Sequence, residues 1–587
     1  MDSKQLRTYF FDLLNSRSDF ITAWEGDKKD LESNKLLFLL EKEHELLNRS
    51  IELAAVLYKS MERNKQVSCI SLIQYWSKTD IIENNSERIV AICNFIWINN
   101  KVFNKQEILW ATDLLKNLMM SVKSELRDTI KYTYENLNDQ FVPSTDTKVC
   151  LLIPEFLSGM SFLQPPLGLM IAAGILDSYG INVDLLDNRA YHYDIDEVCG
   201  KIENYQIIVI NTTPIDQVQN YFLDYRFDLT MKLIHKIRVM YPKKIIIVCG
   251  SHGTIKPDLL SQYNLIDIIL CGEYEYRLAE LIKKQYNNES ITNFKNIVYR
   301  KGNKYIYTQT DNNECHPNMN DLYYPDYSKI RTKHYYGNVH FNNINVKKRN
   351  WSILMVSKGC PYNCSFCFNF YGRNVRRYSI NHVLHELNLM KVNGIKDFFI
   401  IDQLFTENES YVIELCMKMI EYNYNFSWSC QTRIDCLSEK MLFWMKKAGC
   451  KAIWLGVESV NDEVLRLNKK GTTRELILKS LALIKNQGIS FDVFFMLGMM
   501  GDSVKSLNEI KDFIIENDLP CTKSFMICTP RYGTEMGKCA EKQYPDIGHD
   551  FKTLNKYKGL VNNSVTESDI QNIIVELTNY YSHKERA

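Results

Sequence analysis

The sequence predicts an α/β protein: two successive βα series, each on a parallel sheet, behind an all-helical N-terminal segment. Three observations carry this. Glycine and proline are nearly missing from the first quarter, strand-length apolar runs begin near Lys148, and helical patterns then alternate with such runs to about residue 540.

Residues 1–147 hold one glycine, Gly26, and one proline, Pro143, so turn chemistry and helix breakers are scarce. Apolar residues recur at helical spacing, as in Leu36-Leu37-Leu39-Leu40, Leu46-Leu47 and Ile51-Leu53-Leu57. This segment reads as an all-helical domain with no motif that attaches to chemistry. Residues 148–290 follow with apolar runs at 148–154, 183–187, 206–213, 244–250 and 266–272, separated mostly by helical patterns such as 166–179 and 229–240. Five such strands predict a flavodoxin-like (Rossmann-like) doubly wound sheet, which binds ligands at the carboxyl ends of its strands. Residues 291–345 read as a connector with short strand-like pieces at 296–299 and 305–307. Residues 346–540 then offer six strand candidates, beginning at 353–357, 397–402, 426–432, 452–458, 491–497 and 524–529, with helices between them. Six βα units predict a partial (β/α)6 barrel, whose active site would lie at the carboxyl ends of the strands. Residues 541–587 read as a loop and a terminal helix at about 569–581.

The composition narrows the function classes. With 587 residues the chain is about four times a usual domain length of roughly 150. Its 45% hydrophobic and 24% charged residues exclude a disordered chain, a collagen and a coiled-coil rod. Lys plus Arg number 71 against 70 Asp plus Glu, for a net charge of +1, which argues against a wholly basic nucleic-acid binder. No apolar run approaches the ~20 residues that span a bilayer, and Met1-Asp2-Ser3-Lys4-Gln5 lacks an apolar signal core. The expectation is a cytoplasmic protein without a nucleic-acid or membrane partner. Seventeen cysteines in such a setting are not a disulfide framework; most should be buried small hydrophobes.

Three of them stand apart. Gly359-Cys360-Pro361-Tyr362-Asn363-Cys364-Ser365-Phe366-Cys367 directly follows the first barrel strand, where catalytic groups belong. Three thiolates on one loop can ligate three irons of a [4Fe–4S] cube and leave the fourth iron open to a substrate. The bland alternative is a zinc site using Cys364 and Cys367 with two distant ligands.

The Cys-x-x-x-Cys-x-aromatic-Cys triplet resembles the cluster loop of the radical S-adenosylmethionine (SAM) enzymes. The resemblance implies a [4Fe–4S] cluster on Cys360, Cys364 and Cys367, and reductive cleavage of SAM to a 5′-deoxyadenosyl radical. Further stretches match the family in order: Phe366 before the third cysteine, Ile400-Ile401-Asp402-Gln403, Thr432-Arg433-Ile434-Asp435, Leu455-Gly456-Val457-Glu458-Ser459, Met496-Leu497-Gly498, and Thr529-Pro530-Arg531. It thereby implies SAM contacts at Phe366, Asp402, Gln403, Arg433, Glu458, Gly498 and Pro530. Many relatives carry an acid where this chain has Gln403.

The preceding sheet resembles the B12-binding domain found upstream of many radical SAM barrels. Pro165-Pro166-Leu167-Gly168-Leu169, Val248-Cys249-Gly250-Ser251-His252, Gly272-Glu273-x-Glu275 and the connector's Asn320-Asp321-Leu322-x-x-Pro325-Asp326-Tyr327 carry that likeness. It implies cobalamin contacts at Leu167, Thr212, Thr213, Ser251, His252, Gly272 and Glu273. The Asp-x-His-x-x-Gly pattern of a lower axial histidine is broken, since Asp187 is followed by Asn188-Arg189-Ala190-Tyr191-His192. Cobalamin is therefore expected without a histidine ligand from this domain, and His192 is expected at the surface or behind the site. The implied activity is a cobalamin-dependent methyltransferase acting on an unactivated carbon of a small-molecule, peptide or cofactor-like substrate. A low-potential donor such as flavodoxin or ferredoxin would supply electrons. Cyclisation, ring rearrangement or oxidation on the same architecture is the alternative, and a cobalamin sensor with a vestigial barrel the non-enzymatic one. A methylthiotransferase would need a second cluster, whereas Cys150, Cys199, Cys249 and Cys271 lie mostly in strand-like runs.

Overall fold

The computed structural model describes residues 141–154, 163–212, 223–311, 323–337, 349–520, 525–543 and 564–584, with isolated positions at 92, 93, 96, 111, 114, 115, 319 and 339. The helical domain expected over 1–147 lies almost wholly outside them. At Ile92, Cys93, Ile96, Ala111, Leu114 and Leu115 the backbone is helical.

Continuous apolar runs form the first sheet because both of its faces are covered. Every residue of β1 (Val149–Ile153) and β3 (Ile207–Asn211) is buried. β2 (Val183–Asp187), β4 (Ile245–Cys249) and β5 (Ile268–Leu270) complete a parallel set in the order β2-β1-β3-β4-β5, the flavodoxin-like arrangement. Helices α1 (Leu167–Ser178), α2 (Asn188–Tyr191), α3 (Ile195–Lys201), α4 (Leu223–Met240), α5 (Ser251–Ile255), α6 (Pro257–Ser261) and α7 (Glu275–Tyr286) make the connections and coverings. The two strand-like pieces of the expected connector turn out to belong to this sheet. β6 (Ile297–Lys301) pairs antiparallel with β5, and β7 (Lys304–Tyr307) with β6. Antiparallel addition needs no crossover helix, which is why a short turn suffices there.

The second sheet contains six parallel strands in sequence order. They are β9 (Arg349–Leu354), β12 (Asp397–Ile400), β13 (Ser427–Arg433), β14 (Cys450–Glu458), β15 (Ser490–Leu497) and β16 (Phe525–Ile527), with β8 (Tyr336–Gly337) antiparallel at the β9 edge. The first five strands each feed a helix before the next strand. These are α8 (Ile380–Val392), α9 (Glu409–Glu421), α10 (Glu439–Lys447), α11 (Asp462–Leu467) with α12 (Arg474–Gln487), and α13 (Val504–Glu516). The starts are written in the sequence: Ser379, Asn408, Ser438, Thr473 and Ser503 each accept a backbone N–H of the first turn. This is the expected partial (β/α)6 barrel. Helix α14 (Glu535–Gln543) follows the sixth strand, and the terminal α15 (Glu567–Lys584) packs on α13.

One apolar core runs through both sheets, from Val149 in β1 to Leu577 in α15. Polar ties cross the seam. The Trp351 indole N–H donates to Leu163 O at 2.9 Å, and the Tyr335 hydroxyl to Asp187 Oδ2 at 3.0 Å. Among the described residues no helix is long and apolar enough to cross a membrane.

Candidate functional site

After β9 the chain makes a small hairpin, β10 (Ser357–Lys358) against β11 (Arg376–Arg377), and the cysteine loop is the excursion between them. Gly359 opens the loop at φ 100°, where an added Cβ would stand 2.3 Å from Asn374 O. Inside the loop, Cys360 N donates to Gly372 O at 3.1 Å, and the Asn369 amide donates to Cys360 O at 2.8 Å. Ser365 ties it to the far side of the barrel mouth. Its N–H and hydroxyl donate to Asn468 O and Oδ1 at 3.0 and 3.1 Å, and its carbonyl accepts from Met536 N at 2.9 Å. The three thiols thus sit over the carboxyl ends of the strands.

Charged groups surround the sulfurs. Burial pushes the Cys364 thiol up, and Lys470 and Arg433 beside it pull it down. Packing around Cys367, then the neighbouring Cys364 and Cys360, pushes that thiol up to about 11, although the residue keeps an exposed face. Among the described residues no three His, Cys, Asp or Glu side chains are grouped to hold a single metal ion. A cubane does not ask for that, because each cysteine ligates a different iron. By contrast Cys150, Cys199 and Cys249 are buried, and burial raises all three thiols. They are core residues.

The expected SAM positions converge on the same mouth, in differing roles. Phe366 packs on an apolar cluster of Val464, Met499, Cys528 and Met536. The Gln403 side-chain oxygen, at the end of β12, is buried with no hydrogen-bond partner among the described residues. Arg433 forms an ion pair with Asp435 at 2.8 Å, lies 3.7 Å from the Tyr362 ring centre, and points Nη1 at Cys364 Sγ, 3.5 Å away. Glu458 sits at φ 70° on a bulge at the end of β14 and pairs with Lys470 at 3.1 Å. Gly498, at φ 82°, donates its N–H to Asp502 Oδ2 at 3.0 Å, and Pro530 is buried just past β16. Asp402 is held from within the barrel. It is fully buried and accepts from Val356 N at 2.8 Å and the Ser357 hydroxyl at 2.5 Å, so its carboxylate fixes the entry to the cysteine loop. Burial pushes it up to about 7 despite those bonds.

Sequence reasoning missed Asn468 and Lys470. They lie on the return after α11, and only the closing of the barrel brings them to the cysteine loop. Nothing in their local pattern announces it.

Five of the expected cobalamin positions, Thr212, Ser251, His252, Gly272 and Glu273, follow the carboxyl ends of β3, β4 and β5. Thr212 is buried, with N and Oγ1 both donating to Cys249 O at 2.9 and 3.0 Å. Ser251 Oγ lies 3.5 Å from Thr212 O, and Leu167 is buried in the first turn of α1. Gly272 adopts φ 87°, and the nearest atom to a Cβ added there would be Arg277 Nη1 at 3.9 Å. His252 is buried and its ring stacks on Phe227, 5.2 Å between centres. Thr213 lies outside the described residues. His192 is buried at φ 55°, so the surface half of its expectation is corrected; Asp187 and Arg189 beside it form a buried pair at 2.6 Å.

Glu273 is held across the seam by residues of the barrel. Its carboxylate binds Lys358 Nζ at 3.2 Å and the Arg376 guanidinium, while Glu275 takes Lys358 Nζ at 3.0 Å. Burial alone would raise the Glu273 carboxyl, but Lys358 and Arg376 hold it below its ordinary value. A second bridge, Lys256 to Glu541 at 2.9 Å, joins the start of α6 to α14. The first bridge joins the carboxyl end of β5 to that of β9, and the second joins segments that follow the carboxyl ends of β4 and β16. The two carboxyl edges face each other.

The radical SAM superfamily matches residues 354–514, the span of the barrel from β9 to α13. This chain carries a radical SAM domain. Over 404 residues it is 23% identical to an uncharacterized methyltransferase of Pyrococcus horikoshii, covering 67% of this chain and 83% of that one. It is 26% identical over 377 residues to an anaerobic magnesium-protoporphyrin IX monomethyl ester cyclase of Rubrivivax gelatinosus, covering 62% of this chain and 64% of the cyclase, under two thirds of its length. Among solved structures, the radical SAM methyltransferase TsrM of Kitasatospora setae, with cobalamin and a [4Fe–4S] cluster bound, superposes with a TM-score of 0.54 at 16% identity, covering 67% of this chain and 78% of TsrM. The cobalamin-dependent radical SAM enzyme OxsB gives 0.51 at 19%, covering 74% of this chain and 59% of OxsB. At such identities the structures share the fold: a doubly wound sheet facing an open radical SAM barrel.

Proposed function

We propose that this radical SAM enzyme is a cobalamin-dependent methyltransferase acting on an unactivated carbon of a small molecule. The observation that carries the reading is the apposition of the two carboxyl edges, which puts the cysteine loop over the strand ends of the doubly wound sheet. The residues suit the groups. Cys360, Cys364 and Cys367 stand on one pinned loop; the Gln403 carbonyl leaves a buried acceptor for an ammonium; and Thr212, Ser251 and Gly272 keep the facing floor small enough for a broad apolar disc. Bound there, the cluster with SAM supplies a carbon-centred radical and cobalamin supplies the methyl group.

The chain's own part is placement. Arg433 and Lys470 set positive charge beside the Cys364 sulfur, and Phe366 with its methionine-rich backing walls the mouth against water. The exposed face of Cys367 offers the approach for a low-potential donor such as a flavodoxin or ferredoxin. Cyclisation or oxidation on the same architecture is the competing reading, favoured by the likeness to the protoporphyrin ester cyclase. Anaerobic reconstitution, iron and cobalamin counting, and a reductive SAM-cleavage assay test the proposal. Deoxyadenosine together with methylated product supports it; ring-closed or oxidised product supports the competitor; cobalamin binding without SAM cleavage points to a sensor.

A further inference from the structure

The cysteine loop leaves the barrel through a two-stranded neck, and carboxylates of the other domain hold both strands of that neck. Lys358 stands on one strand, directly before Gly359 and two residues before Cys360; Arg376 stands opposite it on the other, the two being paired in register. Lys358 is 1% exposed, and its ammonium lies 3.2 Å from Glu273 and 3.0 Å from Glu275; Arg376 takes the other Glu273 oxygen. The Tyr371 ring, within the loop, covers Lys358 with its centre 4.9 Å from Nζ. Two positive and two negative charges close on one another; Glu273 comes from the turn after β5, beside Gly272, and Glu275 opens α7.

We propose that Lys358, Arg376, Glu273 and Glu275 form a positioning clamp by which the doubly wound domain sets the pose of the cluster loop, and so the fit of SAM to its open iron. An apolar seam of the same area would tolerate sliding. Charges buried in matched pairs do not, because any shift leaves one unpaired in a medium that cannot solvate it, which is how buried pairs specify register. The clamp acts where such fixing matters. Gly359, at φ 100° with its α-carbon face against Asn374 O, turns the chain at once from Lys358 into Cys360. The other contacts expected of SAM sit on separate strand ends across the mouth, so a tilt of the loop separates the open iron from them.

This rests on the cluster reading of the three cysteines. The test uses the full chain, reconstituted anaerobically, as wild type, Lys358→Met, Lys358→Arg and Glu275→Gln. The reduced cluster is followed by electron paramagnetic resonance during titration with SAM, and hydrogen exchange is read over residues 357–377. Lys358→Met keeps its cysteines and should load iron, yet need about tenfold more SAM or beyond for the spectral change, with faster exchange in the neck. Lys358→Arg should recover most of the wild-type response. Glu275→Gln, close to isosteric, covers the case in which Lys358→Met does not fold, and should shift the titration in the same direction. Iron-loaded variants with wild-type SAM dependence, even if they melt lower, overturn the clamp as a positioning device. A wild type that takes up no iron sinks the cluster reading and the clamp together, so the two failures are told apart.

Discussion

Glu386 lies on α8 with 4% of its surface exposed, and its Oε1 has no hydrogen-bond partner among the described residues. Asp402 is its charged neighbour, and the hydroxyls of Tyr324, Tyr327 and Tyr378 feel its field. Burial, then Asp402, pushes Glu386 up to about 8. A carboxyl raised in the native state holds its proton there while the unfolded chain has lost it. Stability is therefore lost as pH rises from the unfolded value near 4.5 through about 8. Glu386→Gln should remove a penalty on the order of 2–4 kcal/mol at pH near 8.5 and change little near pH 5. Thermal midpoints of both chains across that range check it; parallel curves would refute it. A second expectation concerns the cluster ligands. Cys364→Ala should cut iron after reconstitution from about four per chain to under about one, and abolish reductive SAM cleavage.

At the scale of elements, the cysteine loop shows how a short motif depends on its turn. Gly359→Ala would place a Cβ at a positive φ and against the Asn374 carbonyl, backbone that cannot swing aside. The cost should be about 3 kcal/mol or more, seen as a lower melting midpoint and reduced iron uptake; unchanged iron loading would count against the loop geometry. The strands and helices were legible because apolar runs of strand length alternate with helical patterns through both sheets. So was the cysteine triplet, whose residues lie together in sequence. What sequence hid was contact between distant segments. Nothing in Gly272-Glu273-x-Glu275 tells that its carboxylates reach Lys358 and Arg376, since only docking of the two sheets decides that. Asp402 is similar: nothing around it in the sequence tells that its carboxylate accepts from Val356 and Ser357. The strands β6 and β7 were visible as short runs, but their pairing with β5 was not.

In the whole molecule the barrel is not an independent body. Beyond its short pairing with β8, its first strand is covered by segments that precede the barrel: Trp351 is fully buried and bonds to Leu163 O, and the Ser352 hydroxyl, also buried, lies 3.0 Å from Tyr327 Oη. The apolar core continues across the seam without a break. Cutting the chain at residue 345 would strip Lys358 of both carboxylates and leave Trp351 and Ser352 facing solvent. Removing the partners of one buried charge costs about 3–5 kcal/mol, against a total stability for a typical domain of about 5–15 kcal/mol. Adding the apolar face uncovered along β9 exhausts what remains. A fragment of residues 346–587 should therefore show no cooperative thermal transition by circular dichroism and no stable iron uptake, whereas the full chain shows both. A fragment that melts cooperatively and loads iron like the full chain would mean that the seam adds placement but not stability, and that the barrel's core closes on its own.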